Sequence, residues 1–134
     1  MKNTAELKRE LDCAQYIAKE KAIYEPLERD YEVEIIATVD DIPIKGNAIA
    51  SGNDDYDTQV ENELIERLES GDVWAWACVE VKVSKWGHSE SEFLGGCSYR
   101  GEFDFKTGGY YTEMLETCVE KLLTTIEADQ SGEH

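Results

Sequence analysis

The chain predicts an α+β domain, a small antiparallel-containing sheet packed with helices, and three observations lead there. Apolar residues recur at helical spacing over 60–68 and again over 111–126. They alternate at strand spacing over 31–39 and 71–83. Turn residues divide the second strand-like stretch from a further one that ends near Tyr99. The resulting order is helix, strand, helix, strand, strand, helix, with the sheet covered on one face by helices.

Taken in order, Asn3 and Glu6 form a capping-box-like start for a first helix. It is expected to run to about Tyr24, before Pro26 removes a backbone donor. Its apolar seam is narrow. Leu7, Leu11, Ala14 and Ala18 are spaced 4, 3 and 4, which suits packing on the body or pairing with a second copy of the helix. In "YEVEIIATV" (31–39), Tyr31, Val33, Ile35, Ala37 and Val39 form the inward face of a first strand. Residues 40–57, with Pro43, Gly46, Gly52 and an Asn/Asp cluster, read as a loop with a short extended piece at 42–44. A capping box of Thr58 and Glu61 then opens a second helix, with Val60, Leu64, Ile65 and Leu68 as its stripe and Gly71 at its C-terminus.

"GDVWAWACVEVKV" (71–83) follows as a strand, and Gly87-His88 as the two-residue turn after it. That turn sets Val81 opposite Leu94, Cys78 opposite Cys97 and Trp76 opposite Tyr99, with Gly95-Gly96 able to host a bulge. The last helix is expected over 112–128, burying Tyr111, Met114, Leu115, Cys118, Val119, Leu122, Leu123 and Ile126, and the tail 129–134 is expected to fray.

Composition narrows the class. The 134 residues fit one domain, with 1–28 a peripheral helix. The charged N-terminus lacks the apolar core of a signal peptide, and no apolar run nears the roughly 20 residues of a membrane helix, so a cytoplasmic protein without a membrane partner is expected. Four scattered cysteines (Cys13, Cys78, Cys97, Cys118) and two histidines show no zinc-ligand spacing. They read as reduced thiols, and no metal or other cofactor is indicated.

Charge is the unusual property, at −17 from 13 basic and 30 acidic residues. Residues 1–30 hold 6 basic and 7 acidic side chains, leaving 7 and 23, a net of −16, for 31–134. Such a body repels nucleic acid and anionic bilayers and favours a basic protein partner.

The two-tryptophan strand poses a problem of its own. Ala75, Ala77, Val79, Val81 and Val83 define the helix-covered face, which leaves Trp74 and Trp76 on the other, near Tyr99. Each aromatic ring can bury on the order of 150–250 Å². Two readings follow: the first helix or the 40–57 loop folds over these rings, or they form a hot-spot surface for a protein partner or a second copy.

No catalytic motif is present. His88 sits in a turn, a poor place for a sheltered base. The cluster of Asp54, Asp55 and Asp57 lacks the spacing of an EF-hand or of a paired-carboxylate hydrolase. With the tryptophan face it outlines a second reading, a small ligand-binding domain or enzyme whose pocket suits a cationic or base-like molecule. The carboxylates are otherwise ordered in rows, Glu63, Glu66 and Glu69 on the second helix and Glu113, Glu116, Glu120 and Glu127 on the last. Rows of like charge cost helix stability. One reading is a solvated, solubilising face. The other is an imitation of regularly spaced phosphates that occupies the basic groove of a nucleic-acid-binding protein.

The segments "IPIKGNAIASG", "GDVWAWACVEVKV", "FLGGCSY" and "GGYY" resemble a group of small acidic proteins of phages and other mobile elements. The resemblance covers about 40–126 and leaves out the N-terminal helix. The group has no established activity, so no site residues are carried over. It implies a context, the inhibition of host defence by anti-CRISPR or anti-restriction proteins acting in the host cytoplasm.

Overall fold

The computed structural model describes residues 3–131. Its elements are α1 (Thr4–Asp30), β1 (Glu32–Val39), α2 (Asp54–Glu69), a 3₁₀ turn (Val73–Ala75), β2 (Ala77–Lys85), β3 (His88–Cys97), α3 (Glu102–Lys106) and α4 (Tyr110–Ser131). The α+β class and the order α-β-α-β-β-α hold, with the one-turn helix α3 added. The sheet is antiparallel in the order β1-β2-β3, and α4 packs across β2 and β3. None of the described helices is long and apolar enough to cross a membrane.

The core follows from two periodicities meeting. Every second residue of β2 (Ala77, Val79, Val81, Val83) is fully buried, as are Tyr111, Leu115, Cys118 and Leu122 of α4. Burying a valine or leucine stabilises by about 1.5–3 kcal/mol. Small β2 side chains let the helix come close enough for the Cys118 thiol to donate to the Val81 carbonyl at 3.4 Å. Leu123 departs from the expected stripe and is 45% exposed, because it lies at the edge of an apolar arc centred on Leu115, Cys118 and Leu122. Tyr31, Val33, Ile35 and Ala37 of the first strand face the core as expected. Val39, at the strand end, does not.

Pro26 does not end α1, which continues to Asp30. In the last turn a proline removes one hydrogen bond, and Tyr24 and Leu27, packed into the core, offset that loss. At this end Glu28 accepts from the Tyr111 hydroxyl at 2.5 Å and pairs with Lys106 at 2.7 Å. The Lys106 ammonium lies 4.7 Å from the Tyr24 ring centre. One carboxylate thus joins α1, α3 and α4. Burial, then the bond to Glu28, raises the Tyr111 hydroxyl above its ordinary range and keeps it protonated.

Helix α2 starts five residues earlier than the Thr58–Glu61 capping box implies. Asn53 is the N-cap, its side chain accepting from the Tyr56 amide at 3.1 Å. Asp54, Asp55 and Asp57 fill the first turn, where the exposed N–H groups favour negative charge. The expected extended piece at 42–44 forms no strand and leads into a turn at 45–47, in which the Ile44 carbonyl accepts from the Asn47 and Ala48 amides. α4 likewise begins at Tyr110 and keeps residues 129–131 helical, and the remainder of the expected frayed tail lies outside the described residues.

The hairpin turn is Trp86-Gly87, not Gly87-His88. Both residues have positive φ, 53° and 82°, the signature of a type I′ turn. Lys85 therefore pairs with His88 and Val81 with Glu92. Between Val79↔Leu94 and the turn, this register slip of two residues leaves each side chain on its expected face, because strand side chains alternate with period two. The expected bulge is present between Val79↔Leu94 and Ala77↔Cys97, so Cys97 faces Ala77 rather than Cys78.

All four cysteines are free. Burial pushes the Cys97 and Cys118 thiols up to about 11. Because these folded values lie above the ordinary thiol value of 9.0, the stability they contribute is complete below about pH 9 and is lost as pH rises toward 11. Alkylation of the native protein at about pH 8 is expected to label exposed Cys13 first and Cys118 last. An intact mass lower by two hydrogens, with two cysteines protected after unfolding, would indicate a disulfide and contradict this arrangement.

Candidate functional site

The two acidic rows are built on different parts of the fold. The half-buried Val60, Leu64, Ile65 and Leu68 define the inner side of α2, which rests on the 3₁₀ turn. Arg67 fastens the helix, donating through Nε to Asp72 at 2.8 Å and through Nη2 to the Tyr99 carbonyl at 2.6 Å. Glu61 accepts from the Gly46 amide at 2.8 Å and so pins the 40–53 loop to α2. Glu63, Glu66 and Glu69 are left pointing to solvent. On α4 the same logic exposes Glu113, Glu116, Glu120 and Glu127 opposite the buried stripe.

Among the described residues none of these seven carboxylates takes part in an ion pair. The pairs that form are Arg67–Asp72, His88–Asp129, Lys106–Glu28 and Lys121–Glu92. Of the seven basic side chains in 31–134, three are thus held by carboxylates outside the rows. A fourth, Lys85, lies over the Tyr31 and Trp86 rings at 4.6 and 5.0 Å.

The aromatic part of the expected site is dismantled. Trp74 sits in the 3₁₀ turn, not in a strand, and packs against Phe105 at 5.8 Å and Tyr99 at 6.5 Å between ring centres. Phe105 meets Tyr99 at 5.3 Å and Tyr111 at 5.7 Å, and Tyr111 meets Tyr24 at 5.3 Å. These five rings form a continuous column in the core. Trp74 and Tyr99 therefore belong to the helix-covered side, and the expected pairing of Trp76 with Tyr99 is replaced by a backbone bond from the Tyr99 amide to the Trp74 carbonyl.

Trp76 alone lies beneath the 40–53 loop, with 4% of its surface exposed. Its indole N–H donates to the Ile42 carbonyl at 2.7 Å. Asp40 shapes that loop. Its carboxylate accepts from the Ile42 amide at 3.0 Å and from the Gly96 amide at 2.5 Å. These N–H groups hold the carboxyl below its ordinary range. The stability so gained is present above the ordinary carboxylate value and is lost as pH falls through the folded one. A Cβ at Gly95 would lie 3.0 Å from Asp40 Oδ2, a tight approach to which the carboxylate would have to yield. The space considered for a cationic ligand is thus occupied by the protein's own loop.

Nor do the other candidates assemble a reactive centre. Asp57 accepts from the Ser51 hydroxyl at 2.5 Å and serves the start of α2. His88 opens β3 and pairs with Asp129 at 3.3 Å. Among the described residues no group of three or more His, Cys, Asp or Glu is arranged to hold a metal.

Sequence reasoning missed the residues that are exposed instead. The uncovered face of the sheet carries Ile36, Glu80 and Phe93 side by side across the three strands, and Phe93 is 65% exposed. Trp86 is 71% exposed at the hairpin tip. The signal for Trp86 was its place directly before Gly87, where a type I′ turn would lift it to the tip. Comparison with family models, with curated proteins and with solved structures finds no match.

Proposed function

We propose that this is a non-enzymatic acidic interaction protein that binds a basic, nucleic-acid-handling protein, with the carboxylates of α2 and α4 in the place of phosphates. The observation that carries the reading is the absence of ion pairs along both rows among the described residues, while four of the seven basic side chains of the body are engaged elsewhere. Unpaired like charges one turn apart destabilise a helix by about 0.2–0.5 kcal/mol per pair. They also create the one-sign field that steers a cationic surface into contact. The resemblance to phage and mobile-element proteins gives the proposal its setting, in which the partner is a CRISPR effector or restriction complex of the host and the site of action is the host cytoplasm.

Tagged protein incubated with host lysate at low salt is expected to retain a nucleic-acid-binding protein that duplex DNA displaces and about 0.5 M NaCl releases. Glu66→Lys with Glu69→Lys should leave the melting temperature unchanged, because both side chains are exposed, and should weaken the complex about tenfold. Retention of no nucleic-acid-binding protein at low salt sinks the proposal, as does a charge-reversed variant that binds like wild type.

A further inference from the structure

The first half of α1 meets the body only near its end, where Cys13 and Tyr16 line a cleft with Arg100, Phe103 and Thr107. Every residue from Asn3 to Tyr16 is exposed, and Leu7 and Leu11 are 53% and 60% exposed. The expected packing of the Leu7, Leu11, Ala14, Ala18 seam on the body does not occur, since all four are exposed. The buried residues of α1 are Glu20 and Tyr24. At about 100° per residue, the seam lies about 130° around the helix from them. It faces solvent along its length, although an isolated helix shorter than about 12–15 residues is marginal in water.

We propose that the seam is closed by α1 of a second copy running antiparallel. In that direction the seam is self-complementary. With the two-fold axis between residues 12 and 13, Leu7 meets Ala18 of the second copy and Leu11 meets Ala14, so each layer sets a large side chain against a small one. Parallel pairing would stack leucine on leucine and alanine on alanine, leaving gaps at the alanine layers. Across the flanks, Lys8 lies opposite Gln15 and Glu10 opposite Ile17, so like charges do not meet.

Electrostatics selects the same direction. Residues 1–30 carry −1 (6 basic, 7 acidic) and 31–134 carry −16 (7 basic, 23 acidic). The body joins α1 at its C-terminal end, so an antiparallel pair sets the two acidic bodies at opposite ends, whereas a parallel pair forces them together. Fewer than three heptads bury less than the about 1,200–2,000 Å² of stable complexes, so the dimer is weak and concentration-dependent.

Sedimentation equilibrium of the full chain from about 10 µM to about 1 mM tests this. The average mass should rise from one chain toward two, and more steeply at about 0.5 M NaCl, where repulsion between the bodies is screened. Leu11→Glu should stay monomeric throughout with an unchanged melting temperature. A wild type that stays monomeric at the highest concentration and salt overturns the proposal, and so does a dimer indifferent to Leu11→Glu. Direction is read by oxidation in a Cys13→Ser background. Leu7→Cys mixed with Ala18→Cys should give the mixed disulfide, whereas self-linked Leu7→Cys as the main product would refute antiparallel pairing. Salt strengthens this contact and weakens the complex with a basic partner, so the two proposals fail separately.

Discussion

Phe105→Ala is expected to lower the melting temperature by about 10–20 °C, the consequence of losing about 3–5 kcal/mol from a fully buried aromatic side chain. The sequence around it, "EFDFK", gives little hint of this weight. Phe105 is 0% exposed and touches the rings of Trp74, Tyr99 and Tyr111, whereas Phe103, two residues earlier in the same short helix, is 59% exposed. Phe103→Ala should therefore shift the melt by only a degree or two, since surface substitutions stay within about 0.5 kcal/mol. Denaturant or thermal unfolding of the pair checks both values. Equal effects would mean that the aromatic column is not the centre of the core.

Trp76→Ala should be nearly as damaging, at about 3–5 kcal/mol, but for a different reason. The indole is the floor on which the 40–53 loop rests, and its N–H satisfies the Ile42 carbonyl. Trp76→Phe keeps most of the ring volume and loses that bond, a cost of about 1 kcal/mol. Hydrogen exchange should show the loop opening in Trp76→Ala before global unfolding, with faster exchange at Gly46, whose amide is held by Glu61. If Trp76→Ala melts like wild type and the loop keeps its protection, the indole is a surface group and the aromatic-interface reading returns.

The elements read most securely in the sequence were those whose evidence is local. The stripe of α4 and the alternation of β2 are set by the spacing of large apolar residues over several turns or pleats, and burial of that face is required wherever the element docks. The acidic rows were legible for the same reason, since a helix with one buried face must expose the other.

What only the tertiary structure decided depends on partners distant in sequence. Trp74 and Trp76 look equivalent in "VWAW", yet one enters the core beside Phe105 and the other lies under Ile42, because a 3₁₀ turn capped by Asp72 breaks the alternation before β2 begins. The hairpin register turned on whether Trp86 or His88 accompanies Gly87, a choice between backbone conformations that residue spacing leaves open. Pro26 stayed within α1 because Tyr24, Leu27 and Glu28 find contacts on α3 and α4 that outweigh one missing hydrogen bond. Periodicity specifies which face of an element must be buried. What buries it is settled by long-range packing, and there the 40–53 loop covered the one tryptophan while the seam of α1 was left uncovered.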